Sequence, residues 1–167
     1  MINKKSYSIE ISIDLAMDIE QILNGGFFPL TTFLDKKSLE SVLKNMRLPT
    51  GEVWSIPVLF PKKFDGQINS IDRLLLKFQG KDLAVIEDPE TFEYNLDKLI
   101  SLFYGTDNPE HPGVQTTKKS PHVFITGKLI GISKLHKILN INYLEPDGVK
   151  SIIKKKCWKK IVGFHTR

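Results

Sequence analysis

The chain reads as an α+β domain, a small mixed β-barrel with helices on its flanks. Three observations predict this. Two helical apolar stripes occupy the first third of the sequence, several short apolar runs separated by turn signals follow, and one helical pattern falls between two pairs of those runs. At 167 residues the chain suits one domain with a short appendage, and a domain of that size buries roughly 70% of its unfolded surface.

Tyr7, Ile9, Ile11 and Ile13 alternate with polar residues, which predicts a short strand or extended arm. Leu15, Ile19, Ile22 and Leu23 then fall at helical spacing, with Asp14 as the expected N-cap and Asp18 and Glu20 on the wet face. Asn24-Gly25-Gly26 ends that helix and Pro29 prevents its resumption. Phe27, Phe28, Leu30 and Phe33 are too apolar for a free loop, so this turn is expected to fold into the core. Asp35 caps a second helix through about Met46, with Leu39, Val42, Leu43 and Met46 inward.

From Val53 the pattern turns to β. Val53 to Phe60 reads as an edge or bulged strand, because Pro57 cannot donate to a ladder. Leu74 to Phe78 and Leu83 to Ile86 read as a hairpin closed by Gln79-Gly80-Lys81-Asp82. Asn95 caps a helix carrying Leu96, Leu99, Ile100 and Phe103, and Gly105 ends it. Thr106 to Lys119 is expected as a polar loop. His122 to Thr126 and Lys128 to Leu135 form a strand pair around Gly127, a basic helix runs from Pro146 to about Lys156, and Lys159 to Phe164 is a final strand.

No apolar run approaches the roughly 20 residues of a membrane span. The start, Met1 to Lys5, lacks the apolar stretch of a secretory signal. One cysteine, Cys157, leaves no internal disulfide, so a reducing cytoplasm is the expected setting and Cys157 reads as a packed thiol. The net charge of +5 is uneven: residues 1–114 carry 12 Lys and Arg against 17 Asp and Glu, whereas residues 115–167 carry 12 against two. That basic half suits phosphate, nucleic acid or an acidic surface, or simply a solvated lysine face.

Several motifs follow one another in order: Asn24-Gly25-Gly26-Phe27-x-Pro29-Leu30-x-x-Phe33, Asn45-Met46-Arg47-Leu48 with Gly51, Trp54-Ser55-Ile56-Pro57, Gly105-Thr106-Asp107, His111-Pro112-Gly113-Val114, and Phe164-His165-Thr166-Arg167. This ordered set resembles the N-terminal domain of the ATP sulfurylase (sulfate adenylyltransferase) family, from about Leu15 to the last residue. The resemblance implies a PUA-like β-barrel over 1–144. It also implies that 145–167 are the leading helix and first strand of an α/β nucleotidyltransferase domain. In that family the final strand leads to a Gln-Thr-Arg-Asn segment binding sulfate and nucleotide, and a two-histidine motif follows at a helix N-terminus.

The resemblance therefore assigns substrate contacts to His165, Thr166 and Arg167, and no catalytic residue or metal ligand to this stretch. Arginine suits sulfate because its planar fork meets two oxyanion oxygens at once. His165 stands where the family has Gln, which leaves a paralogue acting on another oxyanion as an alternative. The chain itself is expected to be a domain-length piece that scaffolds rather than catalyses and holds no cofactor. The parent enzyme would use ATP and magnesium to convert sulfate to adenylyl sulfate and pyrophosphate. Implied partners are the chain's own C-terminal catalytic domain, ATP with sulfate or another oxyanion, and further copies of the same protein. The rival function is a PUA-like RNA-binding module: Lys150, Lys154, Lys155, Lys156, Lys159 and Lys160 surround Trp158, a pattern that can hold a backbone and one stacked base. Against it stands packing of Ile152, Ile153 and Trp158 on the rest of the protein.

The remaining motifs point away from chemistry. His111 is expected in a rigid turn with its imidazole bonded to backbone, and His122 and His136 as packing or surface groups. No Cys/His/Asp set has zinc spacing, Gly25-Gly26 lacks the lysine of a phosphate loop, and no nucleophile motif is present.

Overall fold

A computed structural model of the chain describes residues 5–68 and 70–163. Strand β1 (Ser6–Glu10) leads into helix α1 (Ile13–Leu23), then α2 (Lys36–Asn45), the two-residue β2 (Phe60–Pro61), β3 (Arg73–Phe78) and β4 (Lys81–Glu93). Helices α3 (Leu96–Tyr104) and α4 (Pro112–Lys118), strand β5 (Val123–Gly131), and helices α5 (Leu135–Ile138) and α6 (Pro146–Lys155) complete the order. The sheet runs β1-β3-β4-β5-β2 and curls into a half-barrel. Strands β1 and β3 pair in parallel, and the other pairs among the described residues are antiparallel.

Strand β4 organises the sheet. Its first half pairs with β3 and most of its length with β5. The β3–β4 turn is shorter than expected: Gln79 and Gly80 both take positive φ (51° and 72°), a two-residue connection whose twist matches the strands, and β4 restarts at Lys81. A bulge at Asp88, with φ 47°, shifts the register between Glu87 and Glu90. Gly127 on β5 lies against it. A Cβ there would stand 2.5 Å from Ile86 Cγ2 and 2.9 Å from the Glu87 carbonyl oxygen, at a φ of +145°. The expected break at Gly127 is therefore a kink in one continuous strand, not a turn between two.

The main core gathers Ile19 and Ile22 of α1, Leu74 and Leu76 of β3, Leu83 and Ile86 of β4, Ile125 of β5, and Phe33 with Phe60. A smaller cluster joins Leu39 and Leu43 of α2 to Tyr94, Leu99 and Phe124. The Gly-Gly turn does fold inward. Leu30 and Phe33 are buried, the Phe33 and Phe60 rings lie 5.2 Å apart, and Thr126 donates to the Phe33 carbonyl at 3.2 Å. Phe28 is the exception, exposed at 80%.

Other expectations need correction. Ser12, not Asp14, caps α1, its hydroxyl accepting the Leu15 N–H at 3.4 Å. Neither Asp18 nor Glu20 lies on a fully wet face: Asp18 is half-buried and Glu20 buried. Of the predicted Val53–Phe60 strand, Phe60 pairs within β2 and Val53 makes one bridge to Arg47, because Pro57 interrupts any ladder between them. The loop after α3 contains α4, with His111 as N-cap and Pro112 in its first turn, where a missing N–H costs nothing. Leu135 opens α5 instead of closing a strand. Helix α6 forms as expected but buries no side chain, and 159–163 are not strand; Phe164 lies outside the described residues.

Candidate functional site

The predicted contacts His165, Thr166 and Arg167 lie outside the described residues. The other motif segments turn out to be packing and turn elements. His111 Nδ1 accepts the Val114 N–H at 3.4 Å, as the backbone-bonded expectation had it, and its ring sits 5.0 Å from that of Tyr104. Gly113 lets Tyr104 approach, since a Cβ would meet the Tyr104 ring at 2.5 Å. Arg47 donates to the Gly51 carbonyl at 3.0 Å, and Trp54 packs edge-on to Phe27 at 5.8 Å.

A polar cluster that the sequence did not announce joins α1, α5 and the segment leading into α6. Glu20 is its centre, buried at 6% exposure. One carboxylate oxygen, Oε2, accepts the backbone N–H of Leu135 at 2.9 Å. The other, Oε1, accepts the Tyr143 hydroxyl at 2.8 Å and lies 2.9 Å from His136 Nδ1. Asn24 of the Asn-Gly-Gly turn donates to the Tyr143 oxygen at 3.2 Å. Glu145, the N-cap residue of α6, stands 3.8 Å from His136 Nδ1 and accepts from Lys134 Nζ at 2.6 Å. Burial alone would raise the Glu20 pKa. Hydrogen bonds from His136, the Leu135 N–H and Tyr143 outweigh it and hold the carboxyl below its usual range. Burial, then the hydrogen bond to Glu20, pushes the Tyr143 phenol up.

Clefts open on either side of α1. One of about 420 Å³ is lined by Glu20, Asn24, Ser133, Lys134, Glu145 and Asp147. The second, about 260 Å³, lies among β1, the start of α1 and residues 59–64, with Glu10, Asp14, Asp18 and Lys63 over Ile9, Leu15 and Phe60. Burial first, and Asp14 second, raise Asp18 from 3.8 to about 6. Carboxylates in both clefts repel phosphate, so neither suits ATP, and no step through ATP or magnesium is assigned to them.

The basic arm differs from its packed expectation. Trp158 is 56% exposed, Ile152 is exposed and Ile153 only half-buried, and all six lysines around them face water. Cys157 is likewise exposed. No described helix is long and apolar enough to cross a membrane.

A family model described as "PUA-like domain" matches residues 2–134. The chain belongs to the PUA-like domain family. This PUA-like chain is 35% identical over 156 residues to the sulfate adenylyltransferase of Persephonella marina, covering 90% of the chain and 40% of that protein. It is 29% identical over 163 residues to the sulfate adenylyltransferase of Staphylothermus marinus, covering 96% and 42%. It thus spans about 40% of the length of these relatives. Among solved structures it is similar to "Hexameric APS kinase from Thiobacillus denitrificans", with a TM-score of 0.63 and 14% identity over 95% of this chain and 28% of that one. At that identity the likeness concerns the PUA-like fold alone.

Three signals for the Glu20 cluster were present but unreadable as a site. Glu20 lies 116 positions before His136, and only the fold brings it to His136 and the nearby Glu145.

Proposed function

We propose that this PUA-like chain is the N-terminal supporting domain of a sulfate adenylyltransferase-like nucleotidyltransferase. The parent reaction is attack of sulfate on the α-phosphate of ATP, releasing pyrophosphate, with magnesium as the expected metal of the catalytic part. Residues 1–144 are the support, and 145–167 lead into the catalytic domain, where His165, Thr166 and Arg167 contact substrate. His165 in place of the family Gln keeps a different oxyanion open as substrate.

One observation carries this reading: the similarity to sulfate adenylyltransferases runs over 90% or more of the chain. Most of the described motif residues hold turns and core together, which supports this reading, and Asn24 steadies Tyr143 of the Glu20 cluster. Helix α6 leaves the sheet with no buried side chain while its root is held through Glu20, Tyr143 and Glu145.

The test is a chimera in which residues 1–144 replace the matching segment of the Persephonella marina enzyme, read by sulfate-dependent pyrophosphate release. A folded chimera that retains activity supports the reading. A folded chimera that binds ATP but releases no pyrophosphate overturns it.

A second reading rests on the exposed Trp158 among six exposed lysines: binding of an RNA backbone with one stacked base. A salt-dependent titration with structured RNA separates the two. No affinity at low ionic strength removes this second reading.

A further inference from the structure

We propose that Glu20, His136 and Glu145 form a site for one divalent transition-metal ion that fastens the root of α6 to α1. The proposal is independent of the sulfurylase-like reading. The three residues come from α1, from α5 and from the N-cap of α6, and one ligand atom of each lies within 4.8 Å of the others. A tetrahedral ion with bonds of roughly 2.0–2.2 Å spaces its ligand atoms about 3.4 Å apart. The separations around His136 Nδ1, 2.9 Å to Glu20 Oε1 and 3.8 Å to Glu145 Oε1, bracket that spacing.

The donor set is one imidazole and two carboxylates. It suits zinc and its neighbours, whereas magnesium and calcium prefer oxygen alone. The supporting shell is built. Glu20 is buried, and the Leu135 N–H and Tyr143 hydroxyl fix its two oxygens, the orientation by hydrogen bonds that metal-ligating carboxylates show. His136 and Glu145 side chains keep 16% and 29% exposure, and the 420 Å³ cleft reaches Glu20 and Glu145, giving an ion an approach and room for a water ligand.

Without a metal, two groups occupy its place. An ionised carboxylate and a bare imidazole lone pair repel at 2.9 Å, so Nδ1 carries a hydrogen aimed at Glu20. The Lys134 ammonium lies 2.6 Å from Glu145 Oε1 with half of its side chain in water, so it can swing aside. A dication replaces both, and the imidazole hydrogen then sits on Nε2.

The test uses the whole chain, stripped with a chelator and titrated with zinc by calorimetry and with cobalt by visible absorption. One ion per chain is expected, with a tetrahedral cobalt spectrum and a rise in Tm. Glu145→Gln and His136→Gln should each weaken binding at least tenfold, in line with the loss of a ligand, while Cys157→Ser leaves it unchanged. Folding of each variant is checked by circular dichroism, and Glu145→Gln alters only a partly exposed side chain. The proposal falls if no ion binds, if binding survives both ligand variants, if it is lost with Cys157, or if magnesium binds as tightly as zinc.

Discussion

Glu20 Oε2 accepts the backbone N–H of Leu135 at 2.9 Å, joining residues 115 positions apart. The same carboxylate holds Tyr143 and His136, so one side chain fixes three points along 135–143. In chelator-treated protein, Glu20→Ala leaves a buried N–H, a phenol and an imidazole without their acceptor. A loss of about 3 kcal/mol is expected, read as the shift in urea midpoint at unchanged slope. Glu20→Gln, which keeps one acceptor oxygen, should cost roughly half of that.

Asp18 supplies the pH dependence. Its folded pKa of about 6 lies above the ordinary 3.8, because burial and then Asp14 disfavour the ionised form. A raised pKa means that the folded state binds the proton more tightly. The associated stability is therefore present below about pH 4 and is lost as pH rises through about 6. Asp18→Asn should match the parent at pH 4 and exceed it at pH 8 by about 1 kcal/mol. The full conversion of the shift would be larger, but the group stays partly open to solvent. Urea unfolding at the two pH values checks the difference.

Tyr94 presents the opposite case, a buried hydroxyl without a hydrogen-bond partner among the described residues. Its ring packs with Leu39, Leu99 and Phe124, while burial and Glu40 push the phenol pKa up. Tyr94→Phe keeps the ring and removes the unpaired oxygen. A gain of about 1 kcal/mol in thermal or urea unfolding is expected, and a loss would show that the hydroxyl has a partner.

Gly127 marks where the sheet bends. Alanine there would meet Ile86 and the Glu87 carbonyl at a backbone angle that side chains rarely adopt. Gly127→Ala should cost about 3 kcal/mol in the same unfolding measurement.

Much of this fold was legible in the residues because periodicity and capping agree. The α2 stripe with Asp35, the α3 stripe between Asn95 and Gly105, and the hairpin at Gly80 form where local chemistry places them, except that Met46, expected inward, is exposed beyond the end of α2 and the hairpin turn is tighter than expected. Failures occur where tertiary contacts override a local pattern. Val53 to Phe60 is apolar and β-branched, yet Pro57 and the bridge to Arg47 keep most of it out of the sheet. Glu20 reads as a solvent-side glutamate until α5 folds over it. The His111 segment looks like a loop because a Pro-Gly start conceals a short helix whose cap is an imidazole. The candidate substrate contacts were named by resemblance, and no local property of His165, Thr166 or Arg167 announces them.

Support without catalysis is the central claim for this chain. Sulfate-dependent exchange of labelled pyrophosphate into ATP, with the purified 167-residue protein, magnesium and zinc supplied, tests it most directly. Exchange equal to the protein-free blank is the predicted result. Exchange above the blank that depends on both sulfate and intact residues of the described domain would contradict it.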